Sequence, residues 1–317
     1  MKSFRTWLMN VLRSILLFSL RYTPTISVAK STEDVTLCSL TSHDHLPLYL
    51  MCVKSFLFMS RRSLPILAVD DGTLNWEDIT LLHRHLPGIR VVRKKDADRL
   101  IVPMLTKFHY AKRYRMDLHP AITTHNQKLF DPVLLTNTAR CILIDSDVLF
   151  FSKPELIIRW IEHPSSKTLL LKYDKAFIEK SNRWGVLVFR ILAKLQHTPQ
   201  AAYYNTGIVC MNRTLFDLRL VEAYCKQYYS YRLAHTWLGD QPIIARLVSL
   251  LQSQKQTTIS GLPSTLYVVL YQTNIRRNLS VLTCIHYHTE ANKIFAFVDS
   301  LRLLYVTAFF SNVSKTI

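Results

Sequence analysis

The stretch CILIDSDVLFFSKP, from Cys141 to Pro154, places two carboxylates, Asp145 and Asp147, inside an otherwise apolar run. Burying an uncompensated carboxylate is costly, so a cation, a metal ion or water has to face these side chains. Residues two apart on a strand point to the same side of a sheet, and we therefore expect both carboxylates to face one divalent ion. Carboxylate oxygens suit Mg²⁺ or Mn²⁺, which usually share their coordination with substrate phosphates. The stretch predicts a buried strand that emerges at a metal and phosphate site.

A second Asp-x-Asp triplet shows that the pattern is weak by itself. Asp96 and Asp98 lie in KKDADR, among lysines and arginines, and we interpret this segment as a solvated charge run. Asp145-Ser146-Asp147 differs because CILI precedes it and VLFF follows it. The apolar context, and not the triplet, carries the prediction.

Strand and helix patterns alternate through the first half of the chain. β-branched, apolar runs at residues 34–40 and 64–73 alternate with helical patterns at residues 46–60 and 75–87. This alternation predicts an α/β fold whose mixed, mostly parallel, Rossmann-like sheet is flanked by helices. Ligands of such sheets bind beyond the carboxyl ends of the strands, and two of the first three strand ends carry paired acids. That arrangement favours a cation-bearing, nucleotide-like ligand.

The composition narrows the class of protein without deciding its partner. The chain has 317 residues and a formal charge of +18, which favours nucleic acid, anionic lipid and phosphate-bearing substrates equally. Its six cysteines form no CxxC pair, and we interpret them as reduced, buried thiols of a cytosolic protein. We expect one large domain, residues 31–317, after a leader of residues 1–30.

The leader is basic and apolar at helical spacing. Arg13 interrupts its apolar run, which leaves too few uninterrupted residues to span a bilayer. Two alternatives stay open: a helix that lies on an anionic membrane surface, at the cytoplasmic inner face, and a helix docked on the body of the protein.

Glycine is scarce, with six residues in the chain. No segment has the glycine spacing of a Walker loop or of a dinucleotide-binding fingerprint. Gly72, Gly207 and Gly239 stand beside polar residues at element boundaries, where a positive φ or a close approach of a ligand would require glycine.

Four segments, taken in chain order, resemble one family. ARCILIDSDVLFFSKP looks like the Asp-x-Asp strand of nucleotide-sugar glycosyltransferases of the GT-A fold, especially the glycogenin and lipopolysaccharide galactosyltransferase group. NQKLFDPVLL is similar to the Lys-Leu helix of that family, YYNTGIVCMN to its Asn-Ser/Thr-Gly strand, and GDQPII to its Asp-Gln helix start. The resemblance implies a GT-A fold and a retaining transfer of sugar from a nucleoside diphosphate sugar, a UDP-sugar first, to a glycan, lipid-linked or protein acceptor. It also implies that Lys128 lies near the donor phosphates and that Asn205 and Asp240 line the sugar and acceptor side.

A fifth segment, CIHYHTEANK, resembles the late strand whose histidine completes the metal site of the family. His286 and His288 point to the same side of a strand, and His286 is favoured because the family's histidine precedes an aromatic residue, here Tyr287. The family's Gly-x-x-Lys-Pro-Trp is absent, and Lys293, assigned to the diphosphate, stands seven residues after His286 instead of six. The Mn²⁺ or Mg²⁺ ligands implied are Asp145, Asp147 and His286.

The first two strand ends, SLTSHD and VDDGT, match the places where the family binds the nucleoside. Asp70 or Asp71 would accept a hydrogen bond from the base or ribose, Thr41 or Ser42 would line the pocket, and Ser146 would join the donor contacts. The alternative for DDGT is an ordinary turn, which aspartate and glycine favour.

Three other classes of protein compete with this interpretation. A nucleic-acid-binding protein would interleave aromatic and basic residues, and FHYAKRYR, residues 108–115, does so. In a glycosyltransferase the same segment would place Arg113 or Arg115 near the diphosphate. A sugar-nucleotide nucleotidyltransferase needs a glycine-rich, arginine-bearing loop after its first strand, and SLTSHDHLPL has none. The last alternative is a membrane-bound structural protein with a decayed site.

Overall fold

A computed structural model describes residues 2–28, 34–118, 123–163, 168–173, 204–230, 240–254, 258–270, 278–288 and 290–306. The first helix precedes the predicted alternation of strands and helices. In chain order these elements are α1 (Lys2–Leu20), β1 (Val35–Thr41), α2 (Leu46–Ser60), β2 (Ile66–Asp70), α3 (Trp76–His85), β3 (Arg90–Val92), α4 (Lys94–Met104), α5 (His109–Met116), α6 (Thr123–Leu135), β4 (Arg140–Ile144), β5 (Val148–Phe150) and α7 (Glu155–Glu162).

The second half of the chain completes the sheets and adds three helices to the described elements. They are β6 (Thr168–Tyr173), β7 (Tyr204–Asn212), α8 (Leu218–Ser230), α9 (Asp240–Ser253), β8 (Thr258–Leu262), β9 (Tyr267–Val269), β10 (Cys284–His286) and α10 (Glu290–Val306).

The central sheet of the described residues has seven strands in the order β3-β2-β1-β4-β7-β6-β8. Strand β7 runs antiparallel to both of its neighbours, and every other adjacent pair is parallel. The predicted fold class, a mixed and mostly parallel sheet flanked by helices, is confirmed. A small sheet, β5-β10-β9, follows the end of β4. In it β10 pairs antiparallel with β5 and sets His286 opposite Val148, which places this histidine beside the Asp-x-Asp segment.

The two faces of the central sheet pack against separate cores. Adjacent residues of β1 show the division, because Leu37 belongs to one core and Cys38 to the other. All six cysteines are buried and free, as predicted, and burial raises the pKa of the Cys141 thiol to about 12. Helix α1 packs against α10 and α2, with Leu16 and Leu20 fully buried in the first core. No helix in the described ranges combines the length and the apolar character required to cross a bilayer.

Local interactions fix the start of α3. The Asn75 side chain accepts a hydrogen bond from the backbone N–H of Asp78, and the Asp78 carboxylate accepts one from the N–H of Asn75, which forms a capping box. Gly72 has a φ of +105°, the positive value expected for the turn after β2.

The interpretation of KKDADR as a solvated charge run holds for Lys95, Asp96 and Arg99, which are exposed, but it is wrong for Asp98. Lys94 begins helix α4, and Asp98 accepts a hydrogen bond of 2.7 Å from Nη2 of Arg115, whose side chain is 1% exposed. A second carboxylate, Asp131 of α6, binds the same guanidinium at 2.7 Å. The triplet alone does not show this role, because Arg115 comes from α5 and its second partner, Asp131, comes from α6.

Candidate metal and phosphate site

The Asp-x-Asp segment forms the turn between β4 and β5. Strand β4 ends at Ile144, the backbone N–H of Asp145 donates to the carbonyl oxygen of Gly207 (2.9 Å), and that of Val148 donates to the carbonyl oxygen of Asp145 (3.3 Å). The expectation that both acids lie on one strand is therefore wrong. A turn, and not the alternation of a strand, brings their carboxylates to the same place.

His286 completes a cluster with the two acids. Its Nε2 atom lies 3.2 Å from Oδ1 of Asp147 and 3.4 Å from Oδ2 of Asp145. One ligand atom from each of the three residues lies within 4.8 Å of the others, and within the described part of the chain no second group of this kind occurs. The ring of His288 is centred 5.4 Å from the ring of His286 and is not part of the cluster. The geometry thus agrees with the choice of His286 over His288.

Asn205 orients the imidazole of His286. The backbone N–H of Gly207 donates to Oδ1 of Asn205 (2.9 Å), which identifies that atom as the acceptor. Oδ1 of Asn205 also lies 2.9 Å from Nδ1 of His286, so Nδ1 carries the proton that it donates and Nε2 is directed to the two acids.

Gly207 is required by the close approach of this ring. A Cβ atom at position 207 would lie 2.3 Å from Nδ1 of His286 and 2.8 Å from Oδ1 of Asn205. Of the glycines singled out in the sequence, Gly207 therefore serves close packing, whereas Gly239 lies outside the described residues.

Cations of the chain compensate the two carboxylates. Nζ of Lys128 lies 2.7 Å and 2.9 Å from the two carboxylate oxygens of Asp145 and donates to the hydroxyl of Thr206 at 3.1 Å. Burial by itself would raise the pKa of Asp147, but the electrostatic effect of His286, with smaller effects of Lys293 and His45, holds that pKa well below its usual range. The apolar run therefore tolerates its acids because basic side chains from α6, α10 and β10 surround them.

The donor set fits a small divalent cation. Neighbouring ligands of an octahedral ion bound at 2.0–2.1 Å are about 3 Å apart, and the separations from His286 to Asp145 and Asp147 are 3.4 and 3.2 Å. Two carboxylates with one imidazole suit Mn²⁺ or Mg²⁺ better than a thiolate-preferring metal. The hydrogen bond from His286 to Asn205 supplies the outer partner that metal-binding histidines generally have.

The ends of β1 and β2 lie one and two strands along the sheet from β4. Thr41 is 2% exposed, and its hydroxyl has no hydrogen-bond partner among the described residues. The Asp70 carboxylate accepts hydrogen bonds from the N–H of Gly72 (2.8 Å) and from Nε of Arg93 (3.0 Å), so it holds the turn after β2. Asp71 accepts from the backbone and hydroxyl of Thr73 in the same turn. Nucleoside contacts by Asp70 and Asp71 stay predictions.

An open cavity of about 590 Å³ lies beside this turn. The cavity is lined by acids and by three consecutive cations that precede and begin α4. The lining residues are Asp70, Gly72, Arg93, Lys94, Lys95, Asp96 and Asp98.

The other predicted site residues lie on α10, in the turn between β4 and β5, at the start of α9 and in the loop after β1. Lys293, in the first turn of α10, is 7% exposed, and its Nζ lies 2.7 Å from Nε2 of His45. Ser146 is buried in the turn between the two acids. Asp240 is the first residue of α9, and its side chain lies outside the described part of the chain. Ser42 accepts a hydrogen bond from the N–H of His45 (3.3 Å).

The sequence pattern did not predict two residues of the site, His45 and Thr206. His45 contacts Lys293, and Thr206 contacts Lys128. His45 belongs to SLTSHDHLPL and Thr206 to YYNTGIVCMN, and the position of His45 four residues beyond the end of β1 is the signal that could have indicated its role.

The basic segment FHYAKRYR does not present a continuous binding strip. Within α5, Tyr114 and Arg115 are buried, and the guanidinium of Arg113 lies 4.2 Å from the ring centre of Tyr229. The prediction that Arg115 lies near a diphosphate is wrong, because its guanidinium is held in the buried network with Asp98 and Asp131.

Comparison with known proteins identifies the fold. No protein-family model matches the chain, and no curated protein matches its sequence. Among solved structures, the galactosyltransferase LgtC in complex with donor and acceptor sugar analogues superposes with a TM-score of 0.56 at 13% identity, over 85% of this chain and 95% of LgtC. Mouse xyloside xylosyltransferase 1 superposes with a TM-score of 0.51 at 12% identity, over 83% of this chain and 98% of the mouse protein. At these identities the likeness establishes the fold, and the chain has the GT-A fold of nucleotide-sugar glycosyltransferases.

Proposed function

We propose that this chain is a metal-dependent glycosyltransferase that moves a sugar from a nucleoside diphosphate sugar to a glycan, lipid-linked or protein acceptor. The observation that carries the proposal is the convergence of Asp145, Asp147 and His286, with Lys128 beside them, at the carboxyl end of β4 in a GT-A fold. Glycosyl transfer requires stabilisation of the charge that develops on the leaving diphosphate. A cluster of metal-ligating groups with adjacent ammonium groups is suited to that task.

The charges of the site support a metal-bound diphosphate as ligand. The carboxylates Asp145 and Asp147 are balanced by the ammonium groups Lys128 and Lys293. A divalent cation and the two negative charges of a sugar nucleotide's diphosphate also cancel, so together they enter without leaving an uncompensated charge. Bound Mn²⁺ or Mg²⁺ would act as a Lewis acid toward the diphosphate oxygens.

Each predicted residue then receives a role in binding or orientation. Lys128 and Lys293 would donate to phosphate oxygens in exchange for their present partners, Asp145 and His45. Asn205 would orient the ring of His286, and its place on the sugar and acceptor side is proposed from the resemblance. Asp240 is proposed to orient the sugar, and retention of the anomeric configuration is proposed from the resemblance.

The nucleoside is proposed to occupy the ends of β1 and β2. The unpartnered hydroxyl of Thr41 needs a hydrogen-bond partner, and Asp71 lies half-buried at the same edge. Strands lie about 4.8 Å apart, so β2 is about 10 Å from β4, a distance that an extended nucleoside diphosphate covers. Ser146, between the metal ligands, is proposed to contact the phosphate end.

The place of action that we propose is the cytoplasmic face of a membrane. Six buried free thiols fit a reducing compartment, and a lipid-linked acceptor would be found at such a surface.

The test is nucleotide release from a panel of UDP- and GDP-sugars, UDP-sugars first, in the presence of Mn²⁺ and with candidate acceptors. We expect wild-type protein to release nucleotide from at least one donor, and Asp147→Ala or chelation by EDTA to abolish that release. Glu155→Ala, which removes an exposed carboxylate on α7, should release nucleotide at the wild-type rate. Equal release by wild type and Asp147→Ala with every donor would refute the proposal.

The competing functions have less support in the molecule. The basic, aromatic segment that suggested nucleic-acid binding is partly buried, with Arg115 engaged in an internal network. The loop after β1 lacks the glycines that a nucleotidyltransferase would need, and the turn at Ser42 holds His45 against Lys293 instead.

A further inference from the structure

Helix α1 has two apolar faces, of which the protein body covers one. Leu16 and Leu20 are fully buried against α10 and α2. The opposite side, which we call the aromatic face, carries large exposed apolar side chains toward both ends of the helix. It consists of Phe4 (67% exposed), Trp7 (58%), Ile15 (43%), Phe18 (56%) and Tyr22 (75%).

The members of the aromatic face lie along one side of the helix. Those within the helix, from Phe4 to Phe18, are separated by three or eight residues, so they lie on one side of α1 and span about 21 Å, and Tyr22 follows in the turn after the helix. The rings of Phe4 and Trp7 stack at 5.7 Å, and those of Phe18 and Tyr22 meet edge to face at 5.3 Å. Five of the thirteen large hydrophobic side chains exposed among the described residues belong to this strip. Such clustering marks an interaction surface, whereas scattered exposed residues do not.

Tyr305 of α10 extends the strip sideways. Its ring is 70% exposed, and its hydroxyl lies 2.9 Å from Oγ of Ser19 on α1. Tyrosine and tryptophan with one polar atom in water and an apolar ring are the side chains that prefer the interface between water and lipid.

The charges around the aromatic face have one sign. Neither aspartate nor glutamate occurs among the first 32 residues, and Arg5 and Arg21 stand near the two ends of the strip. An anionic surface would therefore meet cations and no acid on this helix.

Helix α1 is fixed to the body beside the candidate site. Nη2 of Arg13 donates to the carbonyl oxygen of His43 and lies 2.9 Å from its Nε2, while Nδ1 of His43 lies 2.7 Å from Oδ2 of Asp78. His43 belongs to the same loop as Ser42 and His45. A surface bound to the aromatic face is thereby held in a constant orientation relative to this loop.

We propose that the aromatic face binds an anionic lipid bilayer, with α1 lying in the plane of the headgroups. Aromatic and aliphatic side chains between arginines match the boundary between headgroups and acyl chains, and the apolar strip would enter this boundary without crossing it. A protein or nucleic-acid partner explains less well why Ile15 joins the aromatic rings along the full helix.

The test is co-sedimentation of the full chain with vesicles of phosphatidylcholine containing phosphatidylserine, and with vesicles of pure phosphatidylcholine. We expect binding to the first kind and at least about tenfold weaker partitioning of Trp7→Ser/Phe18→Ser. Trp76→Ser is the matched control, because Trp76 is 74% exposed on α3 and should be dispensable. Replacing Arg5 and Arg21 by serine should weaken binding about fivefold each.

Three outcomes would overturn the proposal. The first is unchanged binding by Trp7→Ser/Phe18→Ser, and the second is equal binding of wild type to both kinds of vesicle. The third is assignment of the face to another partner: a dimer, or a complex with single-stranded RNA, that is lost in Trp7→Ser while vesicle binding is absent. Thermal unfolding of each variant checks that it is folded. Vesicle binding is measured without nucleotide, so its failure is distinct from failure of sugar transfer.

Discussion

Replacing Gly207 by alanine tests whether the imidazole of His286 is placed for metal binding. The new Cβ atom would lie 2.3 Å from Nδ1 and 2.5 Å from Cε1 of His286. Carbon contacts are most favourable from about 3.5 Å, so either the ring or strand β7 has to move by about 1 Å. Overpacking of this kind costs about 1–3 kcal/mol of unfolding free energy.

Displacement of the ring also breaks its hydrogen bond to Asn205, 2.9 Å long in the present structure. Loss of such an outer partner lowers metal affinity about 10- to 100-fold, which corresponds to about 1.4–2.8 kcal/mol. We therefore expect Gly207→Ala to bind Mn²⁺ about 10- to 100-fold more weakly than wild type. Free Mn²⁺ measured by electron paramagnetic resonance in a titration gives the two affinities.

Gly261→Ala is the control for this experiment. A Cβ atom at Gly261, on β8, would have no atom within 4 Å, so this variant should keep the wild-type affinity and unfold within about 0.5 kcal/mol of wild type. If folded Gly207→Ala binds Mn²⁺ as tightly as wild type, His286 is not a ligand and the metal site has to be reassigned.

Two further predictions concern buried ionic groups. Burial lowers the pKa of Lys54 from 10.5 to about 7. Between these pH values the unfolded chain therefore binds more protons than the folded chain. The unfolding free energy should rise with pH above about 7, by at most about 1.4 kcal/mol per pH unit. Urea unfolding from pH 7 to pH 9 should show this rise in wild type relative to Lys54→Met, and parallel curves would contradict it. Arg115→Met leaves the buried carboxylate of Asp131 without its partner and should cost about 3–5 kcal/mol in urea unfolding. Its Mn²⁺ affinity should equal that of wild type, and a folded variant with weakened Mn²⁺ binding would show that Arg115 acts at the site.

Elements with local signals were predictable from the sequence. The capping residue Asn75 and the glycine of the turn after β2 need only their neighbours, because a cap or a turn is closed by hydrogen bonds within a few residues. Helix α2 has the predicted span of residues 46–60 for a related reason, since its apolar residues recur with helical periodicity. In the candidate site, His286 was found because its segment resembles a known one.

Features that depend on distant packing were not predictable. Strands β6 and β8 and helix α10 were not expected, and the Asp-x-Asp segment was placed on a strand although it forms a turn. From the sequence alone, Asp98 is interpreted as a surface acid. Only the folded chain brings Arg115 of α5 to it, together with Asp131 of α6, which binds the same guanidinium. For the leader two alternatives stayed open, a helix on a membrane surface and a helix docked on the body of the protein. Its sequence pattern does not predict which of its two apolar faces the body covers.

The sequence by itself was enough to predict an α/β sheet whose strand ends carry acids and a metal site at Asp145 and Asp147, and the resemblance to a known family added His286. Periodicity and turn chemistry depend on residues a few positions apart, so the sequence alone reveals them. Only the tertiary structure decided that the imidazole of His286 meets both acids, 139 residues or more along the chain, and that Asn205 and Gly207 hold it there. The pairing of β10 with β5 sets these contacts. The free energy of such a pairing comes from packing between segments that are far apart in the sequence, so a local sequence pattern does not predict it.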